Sequence, residues 1–329
     1  MRAKSVINRR YRGPVIAAYV TSLGDSSEIK VGQLPDPEPG PRELLVKVSA
    51  VTVNHVDTFI RSGAYPTEVS LPFVIGRDLV GTVVSSPVNR FTPGDRVWCN
   101  SLGHDGRQGS FAEYCAVPED RLYLLPDGVS DDAVAVLHTA AAAYLGLFEH
   151  ADAGYGETIA VLGAGGGVGS AVVQLASTAG LRVIATARAD DAEWCRECGA
   201  DEVFDYADPD LYRKLPAVDL LWDNAGSHDL ISAVPLLSRG GRIVAMAGME
   251  STPTLPIGEL YTRDASIRGF AISNAGVSAL GSAARVINRA LSTGILRPRV
   301  GTRLPLSSAA EAHRLQESGE ARGRIVLEV

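Results

Sequence analysis

Five glycines fall within seven residues in the stretch AVLGAGGGVGSAVVQLA (160–176): Gly163, Gly165, Gly166, Gly167 and Gly169. Glycine at that density costs stability unless the backbone must turn tightly or be closely approached. The pattern reads Ala164-x-Gly166-x-x-Gly169, and it separates a strand-like run, TIAVL (158–162), from a helix-like pattern at 168–179. In a strand–turn–helix setting such a loop presents backbone N–H groups to a pyrophosphate at a helix N-terminus. The backbone of Gly163, Ala164, Gly166, Gly167, Val168 and Gly169 is therefore expected to hold a dinucleotide.

The next strand-like run, RVIATA (182–187), decides which dinucleotide. A site for NAD places Asp or Glu at its end, to bond the ribose 2′-hydroxyl. Thr186 stands where that acid is expected, and Arg188 follows. With no carboxylate to repel a 2′-phosphate and a guanidinium available to pair with one, the expected cofactor is NADPH. The competing reading of Arg188 is a solvated surface charge.

These groups need elements to hold them, and the chain has two textures. Residues 14–125 alternate β-like runs such as ELLVKVSAVTV (43–53) and LVGTVV (79–84) with turn signals such as PDPEPGP (35–41) and TPGD (92–95). From about Ala133 to Asn274 apolar strands alternate with helical patterns: TIAVL, RVIATA, EVF (202–204), DLLWD (219–223), GRIVAMA (241–247) and SIRGFA (266–271). That alternation predicts a doubly wound parallel sheet covered on both faces. The tail, 276–329, reads as a helix, a short helix near 308–316 and a final strand, GRIVLEV.

Composition narrows the classes further. The 329 residues suffice for two domains, and 46% hydrophobic with 21% charged residues is ordinary for a globular protein. A net charge of −7 argues against nucleic-acid or anionic-membrane partners. The longest apolar stretch, Ala133–Phe148, contains His138 and falls short of the roughly 20 residues a membrane span needs. Residues 1–13 carry five basic residues, Arg2, Lys4, Arg9, Arg10 and Arg12, but the apolar run after them, Val15–Val20, is too short for a signal core. They read as a basic extension of a cytoplasmic protein. Cys195 and Cys198 form a C-x-x-C with no second pair to complete a zinc site, and they read as small residues sharing one face of a helix.

The whole chain resembles the zinc-independent quinone oxidoreductase and enoyl reductase branch of the medium-chain dehydrogenase/reductases. The resemblance rests on VNHVDTFIRSGAYP (53–66), LPFVIGRDLVGTVV (71–84), GDRVW (94–98), GSFAEYCAVPED (109–120), GETIAVLGAGGGVGSAVVQLA (156–176), GADEVFDY (199–206), GGRIVAMAG (240–248) and GRIVLEV (323–329), in the family's order and spacing. It implies an α/β chain with a GroES-like β-barrel catalytic domain over 1–136, a Rossmann domain over 137–274 and a segment, 275–329, returning to the barrel. Zinc-using relatives place Cys where this chain has Asn54, and Gly-His-Glu where it has Gly76-Arg77-Asp78. Asn is a poor zinc ligand and Arg is none, so no catalytic metal is expected.

Without zinc to hold an alkoxide, a conjugated acceptor is expected, because its negative charge spreads over an enolate that hydrogen-bond donors can stabilise. The substrate classes implied are quinones and α,β-unsaturated ketones or thioesters. By resemblance, Asn54 lies near the nicotinamide, Tyr65 is either the proton donor to the enolate or a pocket wall, and Asp57 orients its neighbours. His55 reads as a packed or pocket-lining residue, with proton donation as its alternative. Asn224, Ala247, Gly248 and Phe270 are expected to line the cofactor track, with Arg324 a basic group near it. Phe59 and Ala142 depart from the usual Tyr and Thr, and Thr139 stands one helical turn before Ala142. Those departures open the alternative of a dedicated reductase or reductive cyclase in specialised metabolism; a non-catalytic NADPH-binding sensor or structural protein is the alternative of another class. The SIRGFA strand is expected to pair across a homodimer axis.

Overall fold

The computed structural model describes residues 13–226 and 228–329. The basic extension expected over 1–13 lies almost wholly outside them. Two units divide the chain: one joins the N-terminal part through His138 to Pro298–Val329, and the other runs from Thr139 to Arg297.

The first unit is built on largely antiparallel sheets, with the strands Val300–Pro305 and Arg324–Glu328 paired in parallel. Its seven-stranded sheet runs Val300–Pro305, Arg324–Glu328, Glu43–Thr52, Asp78–Ser85, Arg96–Cys99, Tyr123–Leu124, with Tyr114–Pro118 also paired to Glu43–Thr52. The long strand Glu43–Thr52 forms because ELLVKVSAVT alternates: Leu44, Val46, Val48 and Ala50 are buried and Lys47 is exposed. The last strand returns from the far end of the sequence to pair with it, Val326 opposite Thr52 and Leu327 opposite Val51. A three-stranded sheet, Lys30–Leu34, Val15–Val20, Phe73–Val74, completes the unit. The buried core joins the two sheets through Val20, Val46, Leu79, Phe91, Phe111 and Leu327.

One element was not legible as a helix. His55–Ser62 forms an amphipathic helix inside the β-rich half. Asp57 supplies its N-terminal cap, accepting a hydrogen bond from the backbone N–H of Asn54 at 2.8 Å. Gly63, at φ +84°, ends it in the left-handed region. The helix buries Asp57, Thr58, Ile60 and Arg61. Arg61 is clamped by a two-pronged ion pair to Glu317 on the helix Ala309–Ser318 and donates to the carbonyl of Gly24.

The second unit carries six parallel strands in the order Glu202–Asp205, Arg182–Ala187, Thr158–Leu162, Val218–Asp223, Leu237–Ala245, Ser266–Gly269. Thr158–Leu162 is central, and the strand order departs from it in both directions, which makes its C-terminal end the switch point of the sheet. The unit continues past the expected boundary at 274. The helix Val277–Ser292 belongs to it, and Gln174 ties Arg297 back by accepting from its N–H at 2.7 Å and donating to its carbonyl at 3.5 Å. Cys195 and Cys198 are buried, with Cys195 inside the helix Ala192–Glu197 and Cys198 capping it. No helix among the described residues is long and apolar enough to cross a membrane.

Candidate active site

In the first unit, a buried lattice of polar groups surrounds Asn54. Arg324 donates from Nη2 to the Asn54 Oδ1 at 2.5 Å, and from Nε to the carbonyl of Ala135 at 3.1 Å. Asn54 in turn donates from Nδ2 to the Asp78 carboxylate at 3.1 Å. Asp78 Oδ1 lies 3.9 Å from Nδ1 of His138, whose ring also meets the Asn100 carbonyl at 3.5 Å. Every one of these side chains is buried. The arrangement brings together residues from opposite ends of the chain and fixes the amide of Asn54 at both its atoms.

The charges in this lattice balance only as a group. Arg77 and Arg324 keep their charges, since a guanidinium does not deprotonate in proteins, and they face Asp57 and Asp78. Burial pushes the Asp78 carboxyl up to about 8, and the neighbouring Asp57 adds to it; the Asn54 bond and the two arginines pull the other way. Burial raises Asp57 to about 6, against the Asn54 N–H, Arg77 and Arg324. His138 is driven down to about 3, first by desolvation and then by Arg77, so its ring is neutral.

Tyr65 packs at the edge of the first unit's core, half-buried. Its ring meets His104 edge-on, centroids 6.0 Å apart. His104 is held below the usual histidine range by desolvation, then by Arg77 and Arg107. His55, by contrast, is exposed, with the Gln316 amide 3.1 Å from its Nδ1. Arg324 is a buried clamp on Asn54, inside the first unit. Among the described residues no group of three or more His, Cys, Asp or Glu is placed to hold a metal ion.

The glycine loop lies in the second unit at the C-terminal end of Thr158–Leu162, and the helix Gly167–Thr178 starts directly from it. A Cβ on Gly169 would sit 2.2 Å from the carbonyl oxygen of Gly163, so only glycine lets this helix meet the loop. Ala164 donates its N–H to the Thr186 carbonyl at 2.9 Å, fixing the loop to the next strand. Thr186 itself is buried and Arg188 is exposed. Asn224 closes the other side. Its Oδ1 accepts from the Trp222 indole at 2.8 Å, while its buried Nδ2 has no partner. An orphaned donor beside an open glycine loop and a helix N-terminus fits a phosphate-bearing cofactor.

One expectation is corrected here. Thr186 stands where an acid was looked for and no carboxylate was expected to face a 2′-phosphate, yet Asp191, further along, folds back over the glycines. A Cβ built on Gly165 would lie 2.9 Å from the Asp191 Cβ and 3.0 Å from its Oδ2. Asp191 lies three positions after Arg188, and only the short helical turn Ala189–Asp191 brings the acid back.

Phe270 is wedged against its own unit. It stacks on His150, centroids 4.7 Å apart, and meets Trp222 edge-on at 6.1 Å. A Cβ on Gly146 would strike the rings of Trp222 and Phe270 at 2.1 and 2.7 Å. Gly146 lies in the π-helical turn Leu145–His150 that ends the apolar helix. Ala142 and Thr139 are both buried in that helix.

Asn100, His104 and Asp191 were not singled out from sequence, and Asp78 and His138 were named there without a place in the site. Two of them left a trace: Asp78 interrupts the apolar run LPFVIGRDLVGTVV, and His138 interrupts Ala133–Phe148. Charged or polar residues in such runs are rarely buried without a partner.

An antiparallel unit holding a buried polar lattice, followed by a doubly wound sheet with a glycine loop at its switch point, defines a two-domain dehydrogenase of the GroES-like and Rossmann type. Residues 40–127 match the alcohol dehydrogenase GroES-like domain, and residues 198–327 match the zinc-binding dehydrogenase domain. The mouse quinone oxidoreductase is 32% identical over 88% of this chain and 90% of its own length. A chloroplastic NADPH-dependent alkenal/one oxidoreductase of Arabidopsis thaliana is 31% identical over 88% of this chain and 73% of its own. Among solved structures, a mycobacterial protein complexed with NADPH superposes with a TM-score of 0.84 at 28% identity, covering 96% of this chain and all of that one. An NAD-dependent alcohol dehydrogenase superposes at 0.86 with 31% identity, covering 95% and 99%. The chain belongs to the quinone oxidoreductase family of the medium-chain dehydrogenase/reductases, and it is an oxidoreductase.

Proposed function

We propose that the chain is an NADPH-dependent reductase of a conjugated carbonyl, a quinone or an α,β-unsaturated ketone or thioester, acting without zinc as a cytoplasmic homodimer. The observation that carries this reading is the state of Asn54, whose carbonyl oxygen is committed to Arg324 and whose amide nitrogen is committed to Asp78. A guanidinium and a carboxyl fill the positions that would have to offer lone pairs to a metal.

The cofactor, when bound, supplies the hydride. The glycine loop receives its pyrophosphate against the N-terminus of Gly167–Thr178, with Asn224 offering its free N–H. Arg188 pairs with the 2′-phosphate. The negative charge that hydride addition places on the acceptor spreads over an enolate, and neutral donors suffice to hold it. Tyr65 supplies the proton through its phenol oxygen, and Asn54 contributes its second amide N–H, held in place by Arg324 and Asp78. Asp57 keeps Asn54 at the helix N-terminus. A saturated ketone, whose alkoxide is localised, is a poor substrate. Dimer pairing uses the edge strand Ser266–Gly269, whose residues are half-buried to exposed.

The test is oxidation of NADPH, and of NADH in parallel, against a simple quinone, a medium-chain enone, an enoyl thioester and a saturated ketone. Turnover of a conjugated acceptor, faster with NADPH, supports the reading. Turnover of the saturated ketone alone refutes it, and NADPH binding with no turnover points to the non-catalytic or dedicated biosynthetic role.

A further inference from the structure

We propose that His228 is a positioning residue for the nicotinamide half of the cofactor, cross-linking the two loops that leave the strands Val218–Asp223 and Leu237–Ala245. This rests on the cofactor reading above. Neither loop is held by sheet hydrogen bonds, since both lie past the strand ends.

The geometry is confined to one unit. The His228 Nδ1 lies 2.7 Å from the Asp223 carboxylate, and its Nε2 lies 2.7 Å from the carbonyl oxygen of Ala247. Asp223 already accepts from the N–H groups of Ala225 at 2.8 Å and Gly226 at 3.1 Å, which shapes the first loop. One ring nitrogen faces the carboxylate that ends the strand Val218–Asp223 and the other faces a carbonyl of the second loop. The buried ring therefore bridges the two segments.

The backbone has been shaped to admit it. His228 sits at φ +46°, a left-handed conformation unusual for a residue with a side chain. Gly248 and Gly226 are both left-handed at φ +71°. A Cβ on Gly248 would lie 2.8 Å from the Gly226 oxygen and 2.8 Å from the His228 Nε2. The two loops abut backbone to backbone, and the imidazole fills the remaining space. Strain of this kind persists where the surroundings over-determine it, and it concentrates at ligand clamps.

The strand order says which ligand half these loops serve. In a doubly wound sheet a dinucleotide lies across the carboxyl ends, one half on each side of the switch point. The glycine-loop strand and its neighbours Arg182–Ala187 and Glu202–Asp205 take the adenosine side. The strands Val218–Asp223 and Leu237–Ala245 lie on the other, so their loops receive the nicotinamide riboside. His228 fixes the spacing of Gly226 and Ala247 there.

The experiment compares two ligands on the full chain: NADPH, and adenosine 2′,5′-bisphosphate, which keeps the adenosine and its 2′-phosphate and lacks the whole nicotinamide riboside. The variants are His228→Leu, which removes both polar contacts, and His228→Gln, which keeps one and guards against a folding defect in the first. Melting temperatures are recorded beside both affinities. The expected result is that His228→Leu weakens NADPH about tenfold, the worth of one buried hydrogen bond, with His228→Gln intermediate and the affinity for adenosine 2′,5′-bisphosphate unchanged in both. Unchanged NADPH affinity overturns the proposal, and so does a parallel loss of both ligands, which marks a merely structural role. Failure of the wild-type chain to bind NADPH at all overturns the cofactor reading and this proposal with it.

Discussion

Arg324 reaches across 270 positions of sequence to donate to the side-chain oxygen of Asn54 at 2.5 Å. That bond makes the last strand of the chain part of the site, because Arg324 opens the strand Arg324–Glu328 and Asn54 caps the helix His55–Ser62. Replacing Arg324 by Lys keeps the charge and loses the fork that serves Ala135 and Asn54 together. The expected outcome is a fall in kcat/KM of about tenfold with the KM for NADPH unchanged, and a loss of stability of about 2 kcal/mol from the donors left unmatched. Steady-state kinetics and denaturant melts check both.

Tyr65 is separable from its packing. Tyr65→Phe keeps the ring against His104 and deletes only the hydroxyl. Loss of a proton donor lowers kcat on an enone by about 10²-fold or more, while the melting temperature stays where it was. If Tyr65 is only a pocket wall, kcat on the enone will be unchanged.

In the proposed reading, the preference for NADPH turns on two residues of opposite charge. Arg188→Ala should weaken NADPH by about tenfold and leave NADH untouched, because only the former carries a 2′-phosphate. Asp191→Asn should do the reverse for NADPH, tightening it, since its carboxylate lies over Gly165. Binding titrations with both cofactors read the two effects; equal changes for NADH and NADPH would remove these residues from the specificity argument.

His313 gives the fold a pH dependence that can be isolated. It is fully buried, packed edge-on against Phe111, and neither ring nitrogen has a hydrogen-bond partner. Desolvation, then Arg61, lowers it to about 3. A histidine depressed in the folded state costs nothing above its unfolded value near 6.5, and destabilises progressively as pH falls toward 3. His313→Leu removes that liability. Its stability relative to the wild type should therefore grow by about 2 kcal/mol between pH 7 and pH 5, with His138 present in both proteins and cancelling. A pH-independent difference between the two melts would count against this burial argument.

The alternation of apolar strands with helical patterns was readable because a parallel sheet writes its burial into short, local runs. The glycine loop was readable for the same reason. A tight turn that abuts a helix is a local demand, and Gly169 meets it against a carbonyl only six residues away. Asn54, Tyr65 and Asp57 were found as members of one contiguous motif. None of these required knowing what lay opposite in space.

The partners were another matter. Asp78 and Arg324 meet around Asn54 because antiparallel pairing brings the strands Glu43–Thr52, Asp78–Ser85 and Arg324–Glu328 side by side, and His138 joins them from the helix Val134–Tyr144. Pairing of that range depends on register and closure of the whole sheet, which no local pattern encodes. Asp191 turned back onto the glycines, and His228 joined two loops, for similar reasons. The sequence by itself determined the elements and the loop that a dinucleotide needs. Only the tertiary structure decided which buried charges share a dielectric environment, because burial and Coulombic coupling belong to positions in space and not to positions along a chain.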